Sequence, residues 1–191
     1  MMHLLIIDNF DSFTYNLEHY ARRFCDNVVV KRNNEIDIDE VDNYDAIIIS
    51  PGPGLPLDAG ITPLVLKKYS PTKKILGVCL GHQAIAECFG ASLQNLEEPL
   101  HGIPLLTHKT KIEDPIFEGI KNNFQTARYH SWIVDSNSLN NTDLQVTAVD
   151  INNQIQALKH KEYNVRSVQF HPESILTDGG LKMIENWIKK C

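Results

Sequence analysis

Residues 77–83, GVCLGHQ, place one cysteine between two glycines where a short apolar strand, residues 74–78, gives way to a helical run. A side chain on such a corner stands clear of the sheet, and glycines two positions away on either side let backbone and substrate approach without a Cβ clash. Cys79 would also occupy the positive end of the next helix, which favours a thiolate over a thiol. The chemistry available there is nucleophilic attack on a carbonyl carbon. Such attack needs a base and a third group to orient that base, and residues 169–174, QFHPES, offer both. Pro172 biases His171 toward an extended backbone, and in an extended chain residues two apart point to the same side. His171 and Glu173 are therefore expected to converge, Glu173 holding one imidazole nitrogen while the other faces Cys79. Charge developing on the attacked oxygen calls for N–H donors. Residues 50–54, SPGPG, form a turn that is rigid at its prolines and bare at its glycines, so the N–H groups of Gly52 and of Leu80, directly after Cys79, are the candidate pair.

Each signal has an ordinary reading when taken alone. An unpaired cysteine is most often a small buried hydrophobe, a histidine at a strand end is usually structural, and PGPG is usually just a turn. The turn is no phosphate loop, because the lysine of that motif is missing. The combination of corner, HPE and glycine turn in one chain is what points to thiol catalysis. Two rivals fall away: His82 is expected to point away from Cys79, and His130 with Ser131 lacks the glycine-flanked serine corner that a serine triad requires.

Positioning these groups takes an α/β sheet, and the chain alternates accordingly. A strand is expected over residues 2–8. A helix follows over about 12–24, with Phe13, Leu17, Tyr20, Ala21 and Phe24 at helical spacing and Asp11 as its cap. Strands over 27–31 and 46–49, a helix over 62–69 and the cysteine corner with its helix to 89 come next. Beyond residue 91 the segments shorten into hairpin strands over 103–108, 144–149, 155–159 and 166–170. A last helix, 179–190, carries Leu181, Ile184, Trp187 and Ile188 on one face. The expected class is α/β: one domain over residues 1–191, with an open, mixed, mostly parallel sheet flanked by helices and a small antiparallel hairpin region in the C-terminal half. In such sheets ligands bind at the carboxyl edge of the strands, where the cysteine corner and SPGPG fall. The acidic run 35–45 reads as a solvated loop with a short helix. The polar and aromatic run 9–15 reads partly as packing and capping, partly as a docking surface for a partner.

Composition narrows the setting. A chain of 191 residues is long enough to bury roughly 70% of the surface its unfolded form exposes. Cys25, Cys79, Cys88 and Cys191 lack the short paired spacings of a zinc site, so no metal and no disulfide is expected, and reduced thiols in a cytoplasm are the default. The formal net charge of −6, with no basic run beyond pairs such as Lys73 and Lys74, argues against a nucleic-acid partner. The apolar stretches fall far below the ~20 residues of a membrane span.

The blocks carry a family resemblance across essentially the whole chain: DNFDSFTYNL at 8–17, SPGPG at 50–54, GVCLGHQAIA at 77–86, HG at 101–102, YHS at 129–131 and VQFHPESILT at 168–177. In order and spacing they resemble the triad-type, class I glutamine amidotransferases, and within them the small glutaminase subunits of anthranilate synthase and aminodeoxychorismate synthase. The resemblance implies Cys79 as nucleophile, His171 as general base and acid, and Glu173 as its orienting partner. It implies Gly52 and Leu80 as oxyanion donors, and Gly52, Pro53, Gly54, Gln83 and the backbone of Ser131 and Trp132 as glutamine contacts. It implies no cofactor, L-glutamine as substrate and, as partner in a hetero-oligomer, a chorismate-binding synthase subunit. The chain departs from the pattern at Ile103 and Pro104, where a lysine and a small polar residue are common after HG, and at Trp132, where leucine is common. The rival classes are a non-catalytic binding domain, disfavoured by competent residues at all three triad positions, and a thiol peptidase, disfavoured by Gln83, YHS and HPE.

Overall fold

The computed structural model describes residues 2–191. Nine strands form one sheet: β1 His3–Asp8, β2 Asn27–Arg32, β3 Ala46–Ile49, β4 Lys74–Val78, β5 Leu93–Lys109, β6 Asn123–Val134, β7 Leu144–Asp150, β8 Ile155–His160 and β9 Val165–Val168. The helices are α1 Thr14–Arg22, α2 Thr62–Tyr69, α3 Leu80–Cys88 and α4 Gly180–Lys190. The sheet order is β2-β1-β3-β4-β9-β8-β7-β5-β6. Strands β2, β1, β3, β4 and β9 are parallel neighbours, and the pairings from β9 outward to β6 are antiparallel. The α/β class with a mixed sheet is as expected.

The parallel strands read as unbroken apolar runs because helices cover both faces. Alternate residues of each run enter separate cores. Leu4 and Ile6 of β1, Ala46 and Ile48 of β3, and Leu76 and Val78 of β4 join Leu17 of α1 and Met183, Ile184 and Trp187 of α4. Leu5, Ile7, Ile47, Ile49 and Ile75 face the other way, against Val65 and Leu66 of α2 and Ala84 and Ile85 of α3. β2 and β3 flank β1 on opposite sides, so the connections leaving β1 and β3 diverge there, and the crevice at their carboxyl ends is where such sheets take ligands.

Several expectations shift in detail. β6 was not foreseen and β5 is far longer than residues 103–108. Both strands mix polar and apolar residues and are irregular, with register shifts between Asn95 and Leu100 and between His101 and Ile103, so strict alternation is blurred there. α1 starts two residues later than expected, because Asp11 Oδ2 accepts the Phe13 N–H at 2.7 Å and Asp8 Oδ1 accepts the Thr14 hydroxyl at 2.8 Å ahead of the first turn. On α4 the buried face uses Met183, and Leu181 is only half-buried. The acidic run is a loop with a short 3-10 turn, Glu40–Asn43. Among the described residues no helix is long and apolar enough to cross a membrane.

The corner between β4 and α3 tolerates no extra atom. A Cβ on Gly81 would stand 2.4 Å from the Ile49 carbonyl oxygen and 3.0 Å from its Cβ, which fixes how closely α3 crosses β3. Gly81→Ala is expected to destabilise the fold by about 1–3 kcal/mol through overpacking. Urea denaturation checks this; a midpoint equal to that of the unsubstituted chain contradicts it.

Candidate active site

The carboxyl end of β4 runs straight into Cys79, whose backbone takes φ 52 and ψ −100. That is a costly region for a residue with a Cβ, on the order of 1–3 kcal/mol. It is held from both sides: the Cys79 N–H donates to the Val168 carbonyl at 2.9 Å, and the Cys79 carbonyl accepts the Gln83 N–H at 3.1 Å. The turn puts the side chain at the start of α3 and nearly buries it.

His171 and Glu173 meet as expected, with His171 Nδ1 2.7 Å from Glu173 Oε1 and both side chains buried. The backbone that brings them together is different from the extended one expected. β9 stops at Val168, and residues 171–174 form a turn in which the Ser174 N–H donates to the His171 carbonyl at 3.2 Å. The Thr177 hydroxyl donates to the same carbonyl at 2.6 Å. In this turn the two side chains still meet, so the two-residue spacing works although the backbone is not extended. Burial by itself pushes the His171 imidazole down, but the Cys79 sulfur and the Glu173 carboxylate outweigh it and hold the group well above the ordinary histidine range. Its second nitrogen, Nε2, is buried without a well-formed hydrogen bond inside the chain.

A cavity of about 160 Å³ opens on Cys79 and is lined by Gly52, Pro53, Gly54, Leu80, Gln83, Tyr129, His130, Ser131 and Trp132. All the residues expected to serve as oxyanion donors or substrate contacts therefore share one small space with the thiol. The SPGPG turn is braced by Asn9, whose N–H and side-chain amide bond the Ser50 hydroxyl and carbonyl at 2.9 and 3.0 Å. A Cβ on Gly52 would fall 2.4 Å from the Asn9 carbonyl oxygen, so only glycine lets the turn close over the end of β1. Ser131 and Trp132 lie within β6, and the Trp132 carbonyl accepts the Gln83 side-chain amide at 2.9 Å. That contact is made by backbone, so tryptophan in place of leucine preserves it. A larger cleft of about 540 Å³ along residues 109–118 contains none of these groups.

Residues 5–191 match the model of the glutamine amidotransferase class-I family. The chain belongs to that family. It is 43% identical over 189 residues to the aminodeoxychorismate/anthranilate synthase component 2 of Bacillus subtilis (strain 168), covering 97% of this chain and 95% of that one. It is 38% identical to the aminodeoxychorismate synthase component 2 of Escherichia coli (strain K12), covering 98% and 100%, and 37% identical to the anthranilate synthase component 2 of Pseudomonas aeruginosa, covering 98% and 95%. In three dimensions it is similar to a putative GMP synthase subunit from Thermoplasma acidophilum, with a TM-score of 0.86 at 25% identity over 98% of this chain and 92% of that one.

This class-I glutamine amidotransferase carries site residues that sequence reading passed over. Gln169 lies between Cys79 and Gln83: its amide nitrogen is 3.7 Å from the Cys79 sulfur, and its oxygen accepts from Gln83 at 3.3 Å. Phe13, read as part of the apolar stripe of α1, instead stands at its N-terminus with its ring against Tyr129 and His171. His82 is fully buried in α3 and pairs with the Ser167 hydroxyl at 2.9 Å, so it is occupied away from Cys79. Burial, with His130 and Arg128 nearby, pushes His82 down to about 3; burial, Arg128 and His171 likewise push His130 down to about 3. Arg128 itself is fully buried, donating to the Thr107 hydroxyl at 2.9 Å, and burial lowers it to about 10. The only signal of this polar interior in the sequence was the alternation of Thr126, Arg128 and His130 in a strand not foreseen.

The two depressed histidines set an acid limit on stability. Unfolded, each takes a proton near the ordinary value of 6.5; folded, each refuses it until about 3. Their contribution is thus complete above pH 6.5 and is lost as pH falls through that window, by up to about 1.4 kcal/mol per pH unit for each group. His82→Asn, which keeps a partner for Ser167, is expected to remove roughly one proton from the slope of unfolding free energy between pH 6.5 and 4.5 measured in urea. An unchanged slope contradicts the assignment.

Proposed function

We propose that this chain is the glutaminase subunit of a chorismate-using synthase, hydrolysing L-glutamine to L-glutamate and passing the ammonia to a second subunit. The observation that supports this most is the strained, nearly buried Cys79 opening on a cavity of about 160 Å³, with the paired His171 and Glu173 beside the sulfur. Cys79 thiolate attacks the side-chain carboxamide carbon. The N–H groups of Gly52 and Leu80 take up the oxyanion, and Gly52, Pro53, Gly54, Gln83, Ser131 and Trp132 hold the amino acid. His171, kept protonated by its neighbours, gives its proton to the departing nitrogen as the C–N bond breaks, leaving ammonia and a γ-glutamyl thioester. His171 then takes a proton from water as that water adds to the thioester carbon; collapse of the second oxyanion frees the Cys79 thiolate and a γ-carboxylic acid, which loses its remaining proton to solvent as glutamate. Glu173 orients the imidazole throughout. The chain's own residues and solvent carry every proton transfer, so the reaction as written uses no cofactor.

Ammonia released into neutral water becomes protonated and stops being a nucleophile, so a second active site must receive it directly. Relatives named as component 2 of anthranilate synthase and of aminodeoxychorismate synthase favour a chorismate-binding component as the receiving subunit in a hetero-oligomer. Tryptophan biosynthesis, by way of anthranilate, is the reading we adopt. Aminodeoxychorismate, or one subunit serving both, is the second reading, favoured by the Bacillus subtilis relative that bears both names. The docking face is the carboxyl edge of the sheet, where Phe10, Tyr15, Ile103 and Ile175 are exposed around the site. Free thiols at all four cysteines suit a reducing cytoplasm.

With the synthase subunit bound, Cys79→Ala is expected to abolish glutamine-dependent product while leaving synthesis from added ammonium salts intact. Loss of both in a complex that still assembles contradicts the division of labour, and co-purification shows which synthase subunit it serves. Within the triad, His171→Ala is expected to cost on the order of 10²- to 10⁴-fold in glutaminase rate. Glu173→Gln is expected to cost less, because an amide still accepts the imidazole hydrogen bond. Steady-state rates on folded protein decide the order; a Glu173→Gln variant as inactive as Cys79→Ala contradicts it.

A further inference from the structure

His171 is fixed along one edge by Glu173, and two aromatic rings confine the rest of it. The Tyr129 ring centroid lies 4.9 Å from that of the imidazole at 67°, the Phe13 centroid lies 5.8 Å away at 71°, and the two aromatic rings touch each other at 5.4 Å. Two rings packed against the imidazole oppose its rotation, which would press it on one or the other. Edge-to-face packing also suits an imidazolium, whose charge is attracted to a ring face.

Tyr129 reaches beyond the triad as well. Its ring stands edge-on to the exposed His101 at 5.5 Å and 85°. A Cβ on Gly102, which has φ +67, would lie 3.6 Å from Tyr129 Cε1. This is the point where the ladder between β5 and β6 slips, between His101 and Ile103. A bulge bends its strand and re-aims the side chains beside it. Tyr129 lines both the cavity on Cys79 and an outer groove of about 510 Å³ shared with Phe13, Glu173 and Ile175.

We propose that Tyr129 is a positioning residue that fixes the His171 imidazole and links it to the exposed bulge at His101–Gly102, so that a synthase component docked on the bulge sets the glutaminase rate. The proposal rests on the glutaminase reading above. Tyr129 acts through its ring, since its hydroxyl bonds neither His171 nor Glu173.

The test uses the full chain with glutamine, with and without the synthase subunit. Tyr129→Leu is expected to lower kcat on the order of 10- to 100-fold, as a displaced catalytic group does, with KM for glutamine changed less than threefold. Tyr129→Phe, which keeps the ring, is expected to restore the rate to within about threefold. Phe13→Leu, which loosens the cage from its other wall, is expected to lower kcat in the same way and guards against a folding defect in Tyr129→Leu. His101→Ala is expected to reduce the ratio of complexed to free glutaminase rate while the complex still assembles. Unsubstituted chain that releases no glutamate in either state overturns the glutaminase reading. An active unsubstituted chain whose Tyr129→Leu and Phe13→Leu variants keep its kcat, or whose Tyr129→Phe variant fails to recover it, overturns the role of Tyr129 alone. An unchanged activation ratio in His101→Ala overturns the link to the bulge.

Discussion

The backbone of Cys79 is the constraint on which the rest of the site depends. A residue with a Cβ at φ 52 and ψ −100 stays there only if its surroundings leave no alternative. β4 is locked between β3 and β9 by parallel pairing, α3 is pressed onto β3 through Gly81, and the peptide of Cys79 itself is tied to Val168. Relaxing the corner would require pulling α3 off the sheet, together with Ala84 and Ile85 of its core. The strain is therefore stored against hydrophobic burial, and its effect is to raise a thiol to the rim of the sheet beside the start of a helix.

Around that thiol the structure separates charged groups from neutral ones. His171 keeps its proton because Cys79 and Glu173 outweigh the cost of burying it. His82 and His130, buried with Arg128 nearby, give theirs up. Three buried histidines in one region thus divide into one charged and two neutral, and the charged one is the one with a carboxylate at 2.7 Å. This division leaves His171 as the one protonated imidazole of the three, although His130 lines the same cavity as the sulfur.

Much of this was legible because the chemistry was locally encoded. The glycines around Cys79, the two-residue interval from His171 to Glu173 and the bare turn at Gly52 are contiguous patterns, and each maps to one geometric act. Strands β1, β3 and β4 were legible for the same reason, as short apolar runs covered on both faces. What could not be read was made by tertiary contact. β6 carries buried polar side chains whose hydrogen bonds cross strands, Thr126 and Arg128 both bonding the Thr107 hydroxyl of β5, which no window of one strand reveals. Phe13 looked like a core residue of α1 because its spacing fits, and the Asp8 and Asp11 bonds that delay the helix hand its ring to His171 instead. The turn at residues 171–174 was misjudged as extended because Pro172 excludes helix without specifying what replaces it.

The central claim is that the strained corner makes Cys79 the covalent nucleophile. Acid quenching of the complex during turnover of glutamine, followed by peptide mass spectrometry, tests it most directly. The account predicts a γ-glutamyl group on the peptide that contains Cys79 and on no peptide containing Cys25, Cys88 or Cys191. Steady glutamate release from a chain whose Cys79 has been replaced by alanine, or an acyl group found on another cysteine, would contradict it.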